Sequence, residues 1–201
     1  RLKSKHSDKM EIGEKEDFTK SLKIIGKQIN QIENLVNEFS DFARMPKPIL
    51  KDNNLVVIIN DTINLLKSLD NTIMMSFNLT NEDIFFNSDS EQLSRVFLNL
   101  IQNSIESIQD KKQNNPNYKG KIDIELKDND AYIEFVIKDN GVGFKLLKDN
   151  IKDILNPYFT TKEKGTGLGL AIVNKIINDH QGLLNFKSLD VGAEIKIKFK
   201  K

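Results

Sequence analysis

The sequence predicts an α+β fold, one long helix followed by a region in which helices and strands interleave, and three observations carry this. Apolar residues at 18, 22, 25, 29, 32, 36, 39 and 43 repeat at spacings of four and three, a helix with one continuous apolar seam. Stretches near 121–127, 131–138, 183–188 and 193–199 alternate apolar and polar residues as strands do. Stretches near 54–69, 89–109 and 170–180 keep helical spacing.

Taken in order, Arg1 to Lys9 is polar and basic, and Ser7 to Asp17 reads as a loop. The seam from Phe18 to Ala43 has seven large residues among its eight positions. Full burial would be worth on the order of 10–20 kcal/mol gross, yet a lone helix offers nothing to bury them against. The seam therefore asks for other helices; an ordinary core helix of a monomer is the alternative. Pro46 and Pro48 end the helix. Asn54 to Leu69 places Leu55, Ile58, Ile59, Thr62, Leu65, Leu66 and Leu69 on one side, and strands are expected near 72–79 and 83–87. Asp89 is an N-cap for the next helix, which looks apolar around most of its girth and encloses Asn99 and Asn103 one turn apart. Asp110 to Gly120 reads as a surface connection.

With 201 residues and no cysteine, the chain has material for a sizeable core and no thiolate or disulfide chemistry. Its 30 basic and 29 acidic side chains create no overall field for nucleic acid or anionic lipid. No apolar run is long enough to cross a bilayer, and no signal peptide is visible. The start at Arg1, without methionine, points to a piece of a longer protein whose sensing or anchoring parts lie upstream.

The chemistry concentrates between Asp139 and Val173. A strand containing Ile133, Phe135 and Ile137, half-buried by its alternation, delivers Asp139 to its end; an ionised Asp is a pure acceptor, suited to an exocyclic amine. Gly141 and Gly143 would let a flat ligand approach the backbone. Gly165, Gly167 and Gly169 precede an apolar helix whose first amides would face phosphate. The spacing is neither the dinucleotide fingerprint nor a P-loop. Asp-Asn-Gly is also ordinary turn chemistry, and glycine clusters are ordinary loops. Burying Asn99 and Asn103 unpartnered would cost a few kcal/mol each, so they need a partner. Mg²⁺, with its preference for oxygen and for phosphate co-ligands, is one; an internal amide network or bridging water is another. Lys162 and Lys164 are within chain reach of phosphate or are simply solvated. His180 and a left-handed Gly182 read as a structural helix end.

Asn99 to Glu106, Asp139 to Gly143, Pro157-Tyr158-Phe159-Thr160-Thr161-Lys162 and Gly165 to Gly169 together resemble, in order, the four boxes of the GHKL superfamily. That superfamily joins gyrases, heat-shock chaperones, histidine kinases and MutL. Glu38 to Pro48 resembles the end of the second dimerisation helix of nitrogen-regulation sensor kinases, NtrY type especially. The resemblance implies a two-layer α/β sandwich of Bergerat type on a mixed sheet at 49–201, preceded by a partial dimerisation region at 1–48. It implies ATP with Mg²⁺: Asp139 receives the adenine amine, Asn103 coordinates the metal with Asn99 assisting, and Gly165, Thr166, Gly167, Leu168 and Gly169 wrap the phosphates. Gly141, Gly143, Thr161 and Lys162 complete the pocket, and residues 144 to 165 form its lid, anchored by the apolar Pro157-Tyr158-Phe159.

In the resemblance's ATPase branch a Glu four residues before the metal Asn activates water; here Asn99 stands there, which favours the kinase branch. The implied partners are a second copy through residues 18–43 and a response-regulator receiver domain, with a membrane met only through upstream segments. A cytoplasmic domain of an inner-membrane-anchored protein is expected. The acceptor His of the resembled family is followed by Glu or Asp and then Asn-Pro; His6 is followed by Ser7, Asp8 and Lys9. Self-phosphorylation is therefore not expected. A nucleotide-switched or phosphatase-biased module that binds a response regulator is the alternative.

Overall fold

The computed structural model describes residues 12–69, 71–144, 151–162 and 165–201. The readings at Arg1–Lys9, at His6 and at Lys164 lie outside them. The chain forms two units, Arg1–Met45 with Lys162–Thr166, and Pro46–Thr161 with Gly167–Lys201.

In the first unit, α1 spans Ile12–Ala43, so residues 12–17 are helical where a loop was expected. Ile25, Ile29, Ile32, Val36 and Phe39 of its seam are all exposed, between 47% and 59%. Arg44 still donates its amide to Ser40, and the helix stops before Pro46, whose ring disfavours helical dihedrals at Met45.

The second unit opens on a strap. The Gln92 side chain donates to the Pro46 carbonyl, and the Ile49 amide donates to the Asp89 carboxylate. The held chain continues as β1 (Lys51–Asn54), antiparallel to β3 (Phe85–Ser88). Asn54 then caps α2 (Leu55–Leu69) by accepting from the Val56 amide. Helix α2 buries Leu55, Ile59, Thr62, Ile63 and Leu66 against α3 (Ser90–Asn114), while Leu65, expected on that side, is exposed.

A five-stranded sheet runs in the order β2-β4-β5-β7-β6, from β2 (Met74–Leu79), β4 (Lys121–Asp128), β5 (Tyr132–Asp139), β6 (Leu183–Ser188) and β7 (Ala193–Lys200). Only β2 and β4 pair in parallel, so the sheet is mixed. Helices α3 and α4 (Gly169–Asp179) pack against each other and onto the sheet, giving the two-layer α+β sandwich the sequence predicts. Ile122, Ile124, Leu126, Ile133, Phe135, Ile137, Ile195, Ile197 and Phe199 fill the interior face, with Phe97 of α3 and Phe135 of β5 in ring contact at 4.8 Å.

Strand β5 is not half-buried as its alternation implied, since every residue from Ile133 to Ile137 is buried. It lies mid-sheet, and on the outer face Lys196 and Lys198 of β7 reach Glu134 while Lys138 reaches Glu125 and Glu194. Their aliphatic stems offer apolar cover beside Val136.

Helix α3 is held at its start. Asp89 accepts from the amides of Glu91 and Gln92 as well as Ile49. Burial pushes the Asp89 carboxyl up, but these amide bonds outweigh it and leave it below the usual carboxylate range. The Asp89 amide in turn donates to Nε2 of buried His180, whose Nδ1 lies 2.8 Å from the Ile176 carbonyl and so carries the proton. His180 is structural, as expected. The left-handed residue beside it is Gln181, at φ 56°, and not Gly182. Gly182 is required for another reason: a Cβ there would meet the Ile177 side chain at 2.9 Å.

Candidate functional site

Residues alternate faces along a strand, so the pleat that turns Ile133, Phe135 and Ile137 inward turns Asp139 inward too. The last residue of β5 thus places a carboxylate in the core face, 8% exposed. Its Oδ1 accepts from the Gly141 amide at 2.8 Å. Burial pushes its carboxyl above the usual range, against bonds from the Gly141 and Ala193 amides and the Ser104 hydroxyl and against the charge of Lys111, all of which pull it down. Such a group is paid for elsewhere in the fold and is a recognised mark of a functional site.

Helix α3 runs beside it. Ser104 reaches Asp139, and Ser107 accepts from the Val142 amide through its carbonyl at 3.2 Å and its hydroxyl at 3.1 Å. Two turns earlier, Asn99 faces the start of α4: its Oδ1 would stand 2.8 Å from a Cβ on Gly169. Asn103 lies between. The helix therefore spans from the Asp139 loop to the α4 N-terminus, with a rise of about 12 Å from Asn99 to Ser107. The two asparagines share a face as expected, but the helix buries one stripe and not most of its girth, and both are half-buried at the margin of that stripe. The Asn99 amide group donates to the Arg95 carbonyl, which leaves its oxygen as the end turned toward Gly169.

The glycines serve the chain's own crossings. A Cβ on Gly141 would meet the Ser107 hydroxyl at 2.3 Å, and Gly143, at φ 66°, would meet the Gly192 carbonyl at 2.4 Å. At both glycines the direction a side chain would take is filled by the protein's own atoms. Gly167, at φ 70°, lies under the Tyr158–Phe159 backbone and accepts from the Tyr158 amide. Gly169 alone in this set opens toward the Asn99 side chain, and it begins α4, whose first amides have no intrahelical acceptor.

Of the other expected site residues, Leu168 is buried, Thr161 is exposed and Lys162 is half-buried. Lys162, Gly165 and Thr166 belong to the first unit, where the Gly165 amide donates to the Lys162 carbonyl and the Thr166 hydroxyl to Glu38. Of the expected apolar anchor of the lid, Pro157 and Tyr158 are exposed, Tyr158 at φ 69°, and Phe159 is half-buried; among the described lid residues Ile154 is buried, in a 3-10 turn at Ile151–Leu155 that packs on α4.

The sequence reading missed Lys111 and Tyr118. Lys111 Nζ donates to the carbonyls of Asn140 and Gly141 and to the Tyr118 hydroxyl, which itself donates to Asn140. Tyr118 sits in a polar connection without periodicity, so only the unusual run Lys111-Lys112 ending a helix could have drawn notice.

Comparison with known proteins bears on this arrangement. The family described as histidine kinase-, DNA gyrase B- and HSP90-like ATPases matches residues 88–201. The chain belongs to this family. It is 36% identical over 190 residues to an NtrY-like sensor histidine kinase of Rickettsia prowazekii, covering 94% of this chain and 30% of that protein. It is 33% identical over 181 residues to the nitrogen regulation protein NtrY of Azorhizobium caulinodans, covering 84% of this chain and 21% of that one. The chain thus spans about a third or less of the curated relatives it matches. Among solved structures, the nucleotide-free catalytic domain of the histidine kinase ThkA superposes with a TM-score of 0.64 at 27% identity, covering 76% of this chain and 95% of that domain. The resemblance and the fold class expected from the four boxes are borne out.

The raised Asp139 carboxyl has a sign that can be measured. The folded chain holds this proton to higher pH than the unfolded chain, so the two differ in bound protons above about 3.8. Stability from this group is full below the unfolded value and declines as pH rises through the folded one. We expect Asp139→Asn, without nucleotide, to melt no lower than the wild type at neutral pH and to lose this decline. A variant much less stable at neutral pH with the wild-type slope intact would contradict the assignment.

Proposed function

We propose that this chain is the ATP-binding catalytic portion of a sensor histidine kinase, which passes the γ-phosphate of ATP to a histidine and thence to a response-regulator aspartate. The observation that carries the reading is the buried Asp139 carboxylate, aimed by the Gly141 amide beside the helix that bears Asn99 and Asn103. Asp139 accepts from the adenine 6-amine, with Gly141 and Gly143 shaping the loop around the base. Gly165, Thr166, Gly167, Leu168 and Gly169, with Thr161 and Lys162, enclose the phosphates.

The donor set fits Mg²⁺. Among the described residues no cluster of three or more His, Cys, Asp or Glu could hold a metal, so the ion would rely on amide oxygen and phosphate oxygen. Asn103 would hold it with Asn99 assisting, the latter's oxygen facing the cradle that the missing Cβ of Gly169 leaves. When bound, the ion neutralises charge on the phosphates. Asn99 cannot serve as a general base, so water is not activated from this position and the phosphoryl group is preserved for an imidazole acceptor.

Within the 201 residues neither histidine has the acceptor's character. His180 is buried in a structural bond network, and His6 lacks the acidic neighbour and the Asn-Pro that follow the acceptor in the family. The acceptor therefore belongs to another segment or another molecule. Residues 1–48 are read as part of the dimerisation region and 49–201 as the catalytic domain. No helix among the described residues is long and apolar enough to cross a membrane. A cytoplasmic location under a membrane-anchored sensor belongs to this reading, and a receiver domain is the expected partner.

The test is phosphoryl transfer from γ-labelled ATP. The chain should bind ATP with Mg²⁺ and remain unlabelled, and should label an added acceptor helix from an NtrY-type kinase, with Asp139→Asn inactive in both binding and transfer. Acid-labile label on His6, or wild-type affinity in Asp139→Asn, would sink the proposal.

The exposed seam of α1 supports a homodimer through residues 18–43, because Ile25, Ile29, Ile32 and Val36 present large apolar side chains that are each more than half exposed. Light scattering should show concentration-dependent dimers that Ile29→Asp abolishes. A wild type monomeric at high concentration contradicts this.

A further inference from the structure

The loop that carries Asp139 is held on three sides by groups outside it. Asn140 joins it to the neighbouring strand: its amide donates to the Lys121 carbonyl, its Oδ1 accepts from the Lys121 amide, and its Nδ2 donates to Lys119. Ser107 holds Val142. The third support is Lys111. Its ammonium has three protons, and three acceptors surround it: Tyr118 Oη at 3.0 Å, the Asn140 carbonyl at 3.0 Å and the Gly141 carbonyl at 3.3 Å. The same ammonium stands 4.4 Å over the Tyr118 ring, and Tyr118 Oη donates to the Asn140 carbonyl at 2.7 Å.

A lysine serving only the end of α3 would turn to that helix's own last carbonyls. Lys111 instead spends two of its three bonds on carbonyls 29 and 30 residues away, and both flank the amide that orients Asp139. The Asn140 carbonyl, with donors from Lys111 and Tyr118, fixes the peptide leading into Gly141. The Gly141 carbonyl fixes the peptide leading out. Between them the Gly141 amide has one direction in which to point, at Asp139 Oδ1.

We propose that Lys111 and Tyr118 are positioning residues for the nucleotide base, clamping from behind the loop whose Gly141 amide aims the Asp139 carboxylate. The inference rests on the adenine role given to Asp139 above and assigns its specificity to a second pair of residues. Neither touches the nucleotide; each acts through the Asn140–Gly141 backbone. The signature of such a clamp is a loss confined to recognition of the 6-amine.

The test compares ATP with purine riboside triphosphate, which lacks that amine, by calorimetry on the wild type, Lys111→Met, Lys111→Arg and Tyr118→Phe. Lys111→Met should weaken ATP by about tenfold, the scale of one lost charge-assisted hydrogen bond, and the analogue far less. Tyr118→Phe keeps the ring under the ammonium and should show a smaller loss of the same kind, and Lys111→Arg should recover part of the preference. Equal weakening of both nucleotides, or an unchanged preference for ATP, overturns the proposal. If the wild type does not prefer ATP, the role of Asp139 has failed instead, and the clamp is then judged by amide exchange without nucleotide. Faster exchange at Gly141 and Val142 in Lys111→Met, with β5 still protected, supports it; unchanged exchange overturns it.

Discussion

Everything at this site depends on a carboxylate that the sheet's own pleat turns into the core. Asp139 follows Ile133, Phe135 and Ile137 on the inward face of a mid-sheet strand, where an ionised group is costly. The cost is offset in part by the Gly141 and Ala193 amides, the Ser104 hydroxyl and the nearby Lys111 charge, yet the carboxyl remains above its ordinary range. A purely structural core would place an apolar residue here. The retained acid is the group on which the proposed role in nucleotide binding rests.

That requirement propagates outward. To reach Asp139, the following chain must pass close enough to α3 for the Val142 amide to bond Ser107, and close enough to the β6–β7 turn that Gly143 and Gly192 lie almost in contact. A side chain at Gly192 would overlap the Asp139 carbonyl at 1.9 Å, so its glycine belongs to the site as much as those beside the acid. Helix α3 is in turn registered at its start by Asp89, which also holds the strap at Ile49 and contacts His180 at the end of α4. One helix thereby touches the segment entering the domain, the Asp139 loop and the N-terminus of α4. Anything that shifts its position bears on the whole site.

The sequence made much of this legible. Strand alternation located the strands within a residue or two, because their faces are set by burial against one core, but α1 begins at Ile12 inside the expected loop and α3 runs on to Asn114 through half of the expected surface connection, where polar helical turns show no apolar period. The four boxes carried the resemblance to the family, which the match over residues 88–201 bears out. What stayed hidden depends on neighbours distant in the chain. Strand β1, Lys-Asp-Asn-Asn, has little intrinsic strand preference and exists because the Asp89 and Gln92 strap delivers it to β3. Burial of Glu134 and Val136 needs the lysines of β7. The glycines' real neighbours, Ser107, Gly192 and Tyr158, are visible only once the chain has crossed itself. Lys111 and Tyr118 lie in or beside a polar connection, where no period marks one residue above another.

The most direct test of the central claim is a crystal structure of the chain with Mg²⁺ and a non-hydrolysable ATP analogue. The account predicts the adenine 6-amine within hydrogen-bonding distance of an Asp139 carboxylate oxygen, with Gly141 still donating to Oδ1 and the triphosphate toward Asn99 and Gly169. An adenine bound elsewhere, or an Asp139 side chain that makes no contact with the bound base, would contradict it.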